Sequence, residues 1–82
     1  MMKEIIQEAL EAALSGAMVQ VSDPRDDDRH LEAIVVSEQF EGLSLVRQHQ
    51  LVMNCLKNHF DDGLHALALK TYTPQDWHDK TN

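Results

Sequence analysis

A polar segment of eight residues, numbers 22–29, constrains the fold more than any other feature of this sequence. It separates two short runs, 18–21 and 31–36, and the second run ends in three consecutive β-branched residues. β-Branched side chains favour extended backbone. The intervening segment contains a proline and is too long for a two-residue turn. The sequence therefore predicts a β-hairpin with a long exposed loop, which delivers His30 to the start of the second strand.

The first helix is predicted from apolar residues at positions i, i+3, i+4 and i+7 within residues 3–15. Gly16 follows the last of them, and glycine adopts the left-handed backbone of a helix C-cap without strain. The helix is therefore expected to end there. Its apolar face comprises Ile5, Ile6, Ala9, Leu10, Ala13 and Leu14.

A second helix is predicted over residues 44–60, with the Ser44 hydroxyl as its N-cap. Thr73 and Pro74 have the residue types of an N-cap and a first helical position, so a short final helix is expected after them. The apolar stripe of the second helix comprises Leu45, Val46, His49, Val52, Met53, Leu56 and Phe60.

A third strand is predicted over residues 64–70, between these two helices. It is apolar on both alternating faces, which is typical of an inner or well-covered strand. The resulting order is helix, strand, strand, helix, strand, helix. We expect one α+β domain over residues 1–82, with a three-stranded sheet covered by helices on one side.

Composition narrows the classes of function. The net charge is -7 and there is one cysteine, so nucleic acid is repelled on average and no internal disulfide can form. No motif for nucleotide binding, zinc proteolysis or a paired-cysteine metal site occurs, which argues against an enzyme. The first residues form an amphipathic pattern rather than a signal peptide, and no run approaches the roughly 20 apolar residues of a membrane span. The sequence indicates a soluble cytoplasmic protein.

Histidine is the unusual residue type, with five in 82 residues. His30 and His65 each precede or begin a predicted strand, so adjacent strands could bring them together as half of a four-coordinate iron or zinc site. The alternative is that both are structural or simply exposed imidazoles. Cys55 and His59 are spaced i, i+4 on the second helix and could also contact one metal, although a lone cysteine beside an apolar stripe usually packs as a small hydrophobe.

A family resemblance rests on three segments. Phe40-Glu41-Gly42, then residues 45–52, and above all residues 65–77 (HALALKTYTPQDW) resemble the BolA family, most closely its IbaG-like bacterial branch. The resemblance covers nearly the whole chain. It implies a fold similar to class II KH domains with the order α-β-β-α-α-β-α, so that residues 44–60 divide into a short helix and a longer one.

The resemblance also implies a function. BolA-like proteins pair with monothiol glutaredoxins and share a [2Fe-2S] cluster, which is held by a glutaredoxin cysteine, glutathione and two residues of the BolA-like chain. His65 matches the family's C-terminal histidine, and His30 falls where its variable loop supplies a histidine or cysteine. His49 matches the histidine of an Arg-His-Arg segment, but here Gln48 and Gln50 flank it. These matches predict His30 and His65 as the metal ligands that this chain contributes, with roles in iron-sulfur trafficking or in iron and stress regulation. The protein alone is expected to be a monomer or homodimer.

Two other functions remain open. A KH-like fold, with a possible helix-turn-helix over residues 42–60, suggests a nucleic-acid-binding regulator. However, Gly42 lacks the second glycine of a GxxG loop, and the candidate helices carry only Arg47 and Lys57 as basic residues. An adaptor domain with incidental histidines is the third possibility.

Overall fold

The computed structural model describes residues 2–61 and 66–81, and these form an α+β fold with three strands, four α-helices and one 3₁₀ helix. The order of elements agrees with the prediction, and the 3₁₀ helix is an addition to it. The elements are α1 (Met2–Ala13), β1 (Met18–Ser22), β2 (His30–Val36), the 3₁₀ helix (Glu38–Phe40), α2 (Leu45–Cys55), α3 (Lys57–Asp61), β3 (Ala66–Tyr72) and α4 (Pro74–Thr81).

The sheet is mixed, with β2 in its centre. β1 and β2 form the predicted antiparallel hairpin, in which Met18 lies opposite Val36 and Ser22 lies opposite Glu32. Residues 23–29 connect the two strands as the exposed loop.

The third strand occupies an edge of the sheet, so the prediction of an inner or well-covered strand was wrong. β3 runs parallel to β2, from Ala66 opposite His30 to Tyr72 opposite Val36. Ala66, Ala68 and Lys70 are exposed on one face, while the residues between them turn toward the helices. The small alanine side chains explain the apolar pattern on both faces, because they need no cover. Residues 64 and 65 of the predicted strand lie outside the described residues.

One face of the sheet carries the core, as expected. Alternate residues of the strands, among them Val19, Leu31 and Val35, are buried against α1 and α2. On the opposite face Gln20, Glu32 and Lys70 are exposed. The core cluster consists of Ile6, Leu10, Leu14, Val19, Leu31, Val35, Phe40, Val52 and Leu56.

Helix α1 forms because its apolar residues meet the sheet along one stripe. Ile6, Leu10 and Leu14 are almost fully buried, while Ile5 is exposed at the margin of the stripe. Gly16 has a φ of 82°, in the left-handed region that the C-cap prediction requires.

The predicted helix over residues 44–60 is divided, as the family resemblance implies, but the 11-residue α2 precedes the five-residue α3. Leu56, with φ -107° and ψ 5°, separates them. Ser44 is the N-cap, and its hydroxyl accepts a hydrogen bond from the Arg47 amide at 3.2 Å. Leu45 and Val46 are 61% and 66% exposed, so the predicted stripe does not reach the core in the first turn.

A buried polar side chain ties α2 to the edge strand. Gln48 is 8% exposed, and its Nε2 donates to the Leu43 carbonyl at 3.0 Å. Its Oε1 accepts from the Thr71 hydroxyl at 2.8 Å. A side chain that the helical pattern left outside the core therefore links α2, the preceding loop and β3.

Helix α4 begins as the sequence predicts. The Thr73 hydroxyl accepts from the Asp76 amide at 3.1 Å, and Pro74 is the first helical residue. The Trp77 ring lies 5.3 Å from the Tyr72 ring, which holds the helix to the end of β3. Within the described residues, no helix is both long and apolar enough to cross a membrane.

Candidate metal-ligand site at one end of the sheet

The loop before β2 is organised by its own aspartates. The Asp23 carboxylate accepts hydrogen bonds from the amides of Asp27 and Asp28, at 3.3 and 2.9 Å. Asp26 and Asp28 have φ values of 53° and 61°, a left-handed conformation that aspartate adopts more readily than most side chains. Residues 23–28 therefore form a folded turn rather than an open chain.

Hydrogen bonds of the Asp27 carboxylate connect this turn to His30. Its Oδ1 accepts from the backbone amides of Arg29 and His30, at 2.9 and 3.0 Å. Its Oδ2 lies 2.7 Å from Nδ1 of the His30 ring. The two side chains are 33% and 35% exposed, so the pair lies at the surface and within reach of a partner.

The hydrogen bonds of Asp27 determine which atom is the donor between its Oδ2 and Nδ1 of His30. The backbone amide of His30, then that of Arg29, then the His30 side chain hold the pKa of Asp27 well below its ordinary value. Asp27 is therefore an ionised carboxylate at neutral pH and can only accept. Nδ1 of His30 must supply the proton of the 2.7 Å hydrogen bond.

His30 also begins the central strand. The register places it opposite Ala66, the first residue of the parallel strand β3, and the Ala66 amide donates to the Arg29 carbonyl at 3.1 Å. Ala66 directly follows His65 in the sequence. His65 itself lies outside the described residues, so its pairing with His30 stays a prediction.

The other candidate ligands are not brought together. Cys55 is the last residue of α2 and its thiol donates to the Leu51 carbonyl at 3.2 Å, whereas His59 belongs to α3. The break at Leu56 therefore interrupts their i, i+4 spacing. His49 is half-buried beside β3, and His78 is exposed on α4. Among residues 2–61 and 66–81, no three side chains of metal-ligand type cluster.

The donor chemistry of His30 suits an iron-sulfur cluster. A neutral imidazole whose Nδ1 donates a hydrogen bond retains its lone pair on Nε2, and imidazole nitrogen is an accepted ligand of iron in [2Fe-2S] centres. A carboxylate on the second ring nitrogen is the usual companion of a metal-bound histidine. One described residue thus fits the ligand role that the sequence predicted for it.

Sequence reasoning missed Asp27. The sequence predicts residues 22–29 only as a long exposed loop, because a series of aspartates looks like any charged loop. The available signal was the spacing, since an aspartate three residues before a histidine can close a turn and contact the ring.

Comparison with known proteins gives the chain its family. The family model described as BolA-like protein matches residues 3–76. The chain belongs to the BolA family. Members of this family are not enzymes, in agreement with the prediction from the sequence.

Three relatives show how similar this chain is to other proteins of the BolA family. The acid stress protein IbaG of Escherichia coli is 40% identical over 73 residues, which cover 88% of this chain and 83% of the relative. The Vibrio cholerae protein named DNA-binding transcriptional regulator BolA is 44% identical over 54 residues, covering 66% of this chain and 51% of the relative. The structure of BolA1 from Arabidopsis thaliana has a TM-score of 0.83 and 32% identity, covering 93% of this chain and 95% of that chain.

These figures support the family but not the branch. IbaG and BolA proteins are about equally similar to this chain, so the closer resemblance to the IbaG-like branch is not established. The match also covers only 32% of the chloroplastic BOLA1 protein of Arabidopsis thaliana and about half of the Vibrio cholerae relative.

Proposed function

We propose that this BolA-family chain is a non-enzymatic partner of a monothiol glutaredoxin, with which it shares a [2Fe-2S] cluster. His30 and His65 are the two ligands that it contributes. The observation that carries the proposal is the position of His30, whose ring is held by Asp27 at 2.7 Å and whose strand neighbour, Ala66, directly follows His65.

The cysteine content of the chain supports a shared site. Its one cysteine, Cys55, is engaged with a carbonyl of its own helix, so thiolate ligands have to come from the partner and from glutathione. Two histidines cannot complete the coordination of a [2Fe-2S] cluster, which takes four protein or cofactor ligands. A heterodimer supplies the rest, in a reducing compartment such as the cytoplasm.

The ligand types determine what such a cluster is suited for. When bound, a [2Fe-2S] cluster supplies one-electron chemistry, and imidazole in place of thiolate raises its reduction potential. Imidazole must be neutral to bind iron, so ligation of a cluster by imidazole is in general sensitive to acid. An exposed ligand such as His30 suits a cluster that is transferred or that reports iron or stress. The name of the relative IbaG, an acid stress protein, agrees with this role.

The experiment mixes this protein with a cluster-loaded monothiol glutaredoxin and follows visible absorption and circular dichroism. Wild type should give a new spectrum, and His30→Ala and His65→Ala should each lose or alter it while keeping the apo fold. His78→Ala is the matched control, because His78 is an exposed histidine on α4. The proposal would be contradicted if adding wild type left the glutaredoxin spectrum unchanged. It would also be contradicted if both ligand variants gave the same spectrum as wild type.

Nucleic-acid binding is the second candidate, and the name of the Vibrio cholerae relative favours it. The charges of this chain oppose it, since seven basic residues are distributed over α1, the β1–β2 loop, α2, α3, β3 and α4. A phosphate-binding surface needs such residues together. A titration with duplex DNA at low and high salt separates the two functions. Salt-sensitive binding that Arg47→Ala weakens would support the regulator, and no binding at low salt would exclude it.

A further inference from the structure

The two carboxylate oxygens of Asp27 have different hydrogen-bond partners and therefore different roles. Oδ1 receives the backbone amides of Arg29 and His30, which close the turn. Oδ2 receives only the His30 ring among the hydrogen bonds that the structure describes for it, at 2.7 Å. The contacts of Oδ1 determine the shape of the backbone turn. The contact of Oδ2 determines which nitrogen of the His30 ring carries the proton.

We infer that Asp27 is a positioning residue that fixes the tautomer of His30, placing the proton on Nδ1 so that Nε2 is the atom offered to a metal. The part of this inference that concerns metal rests on the proposed function. The part that concerns the tautomer does not, because it is a property of the free protein.

The inference follows from what each atom can do. A carboxylate oxygen has no proton, so the hydrogen bond from Nδ1 to Oδ2 exists only when Nδ1 carries a proton and donates it. The turn presents Nδ1 to Asp27 at 2.7 Å, so a ring turned over to present Nε2 to Asp27 would give up this hydrogen bond. Side chains that hold the second nitrogen of a metal-bound histidine orient the ring in the same way.

Other acidic groups of the loop have different partners. The Asp23 carboxylate accepts the amides of Asp27 and Asp28. Asp28 Oδ1 accepts the Met2 amide at 2.7 Å. Asp27 is therefore the carboxylate whose described contact reaches the ring.

Asp27→Asn is the sharpest test, because it separates the two roles. The asparagine Oδ1 can still accept the amides of Arg29 and His30, so the turn is retained. Its Nδ2 would face the ring and can only donate, so Nδ1 of His30 must become an acceptor and the proton must move to Nε2. Asp26→Asn is the matched control, since it removes the same charge one residue away and asparagine also tolerates the left-handed φ of 53°.

The tautomer is measured in the apo protein, by two-bond ¹H–¹⁵N correlation spectra of the histidine rings at a pH where His30 is neutral. We expect Nδ1–H in wild type and in Asp26→Asn, and Nε2–H in Asp27→Asn. Wild-type His30 with its proton on Nε2, or an unchanged tautomer in Asp27→Asn, would overturn the inference whether or not a cluster forms.

The metal part is measured as the rate at which the glutaredoxin complex loses its cluster to a chelator. Partners of metal-bound histidines typically contribute 10- to 100-fold to metal affinity, so Asp27→Asn should lose the cluster about 10- to 100-fold faster than wild type. Asp26→Asn should match wild type. Equal rates for Asp27→Asn and Asp26→Asn would refute the positioning role while leaving the shared cluster intact. No cluster in wild type would instead remove the proposed function, and with it the metal part of this inference.

Discussion

Two side-chain hydrogen bonds of nearly equal length show how differently this small fold uses polar contacts. The bond from His30 to Asp27 is 2.7 Å long, lies at the surface and joins residues three apart in the sequence. The bond from Thr71 to Gln48 is 2.8 Å long, is buried and joins α2 to an edge strand.

The environment decides what each bond contributes. Water can replace either partner of the exposed bond, so its loss changes the free energy of unfolding little. Water cannot reach the partners of the buried bond, so its loss leaves unpaired groups in the interior. The exposed pair controls the chemistry of one ring, and the buried pair holds two elements together. Distance alone would not distinguish them.

The largest effect on stability is expected from Gln48→Ala. This change leaves the Thr71 hydroxyl and the Leu43 carbonyl without the partners they have in the wild type. Each unsatisfied buried group costs about 1–3 kcal/mol, so the free energy of unfolding should fall by at least that amount in urea denaturation. Gln50→Ala is the control, because Gln50 is an exposed glutamine on the same helix. Equal stabilities of the two variants would show that the buried bond contributes nothing.

A smaller, pH-dependent effect is expected from Asp27→Asn. The folded state lowers the pKa of Asp27, through the amides of His30 and Arg29 and then the His30 ring. Such a group stabilises the fold above its unfolded pKa, about 3.9, and this stabilisation is lost as the pH falls through the folded value. The variant should therefore be less stable than wild type at pH 7, and the difference should shrink below about pH 4.

Unfolding free energies measured from pH 7 down to pH 2 check this prediction. The loss caused by Gln48→Ala should keep its size over the same range, because neither Gln48 nor Thr71 titrates. A difference between wild type and Asp27→Asn that grows as the pH falls below about 4 would contradict the assignment of Asp27 as a stabilised carboxylate.

The smallest effect is expected from His30→Ala. The ring is 35% exposed and Asp27 keeps both of its backbone partners without it. Surface substitutions of this kind usually change stability by less than about 0.5 kcal/mol. Thermal unfolding of the apo protein should thus hardly change, even where the glutaredoxin experiment shows a lost spectrum. A loss as large as that of Gln48→Ala would mean that His30 is structural.

Local sequence signals predicted much of the fold. The stripe of Ile6, Leu10 and Leu14 is buried, and Ser44 and Thr73 cap their helices. These outcomes depend on spacing within one element and on hydrogen bonds to nearby amides. Both are encoded within a few residues.

Features that depend on distant residues were not predicted. Leu45 has the helical spacing of a core residue, but it lines an open groove beside β3. The edge position of β3 depends on the strand order, which no local pattern contains. Gln48 looks like any polar helical residue until Thr71 is placed against it. In the candidate site, the sequence analysis located His30 at the start of its strand but overlooked Asp27, three residues before it, whose Oδ2 lies 2.7 Å from the ring.

The parallel pairing of β2 with β3 has a consequence for how the protein folds. The hairpin of β1 and β2 closes over residues 23–29 alone, whereas β3 reaches β2 after the chain has passed through α2 and α3. Non-local strand pairing is entropically slow, so β3 should dock late. His30 would thus be in place in an early hairpin, while the strand beside it arrives with the final step. A chain stalled on the way could fold its loop and still lack β3, so the proposed metal site would be complete only in molecules that have finished folding.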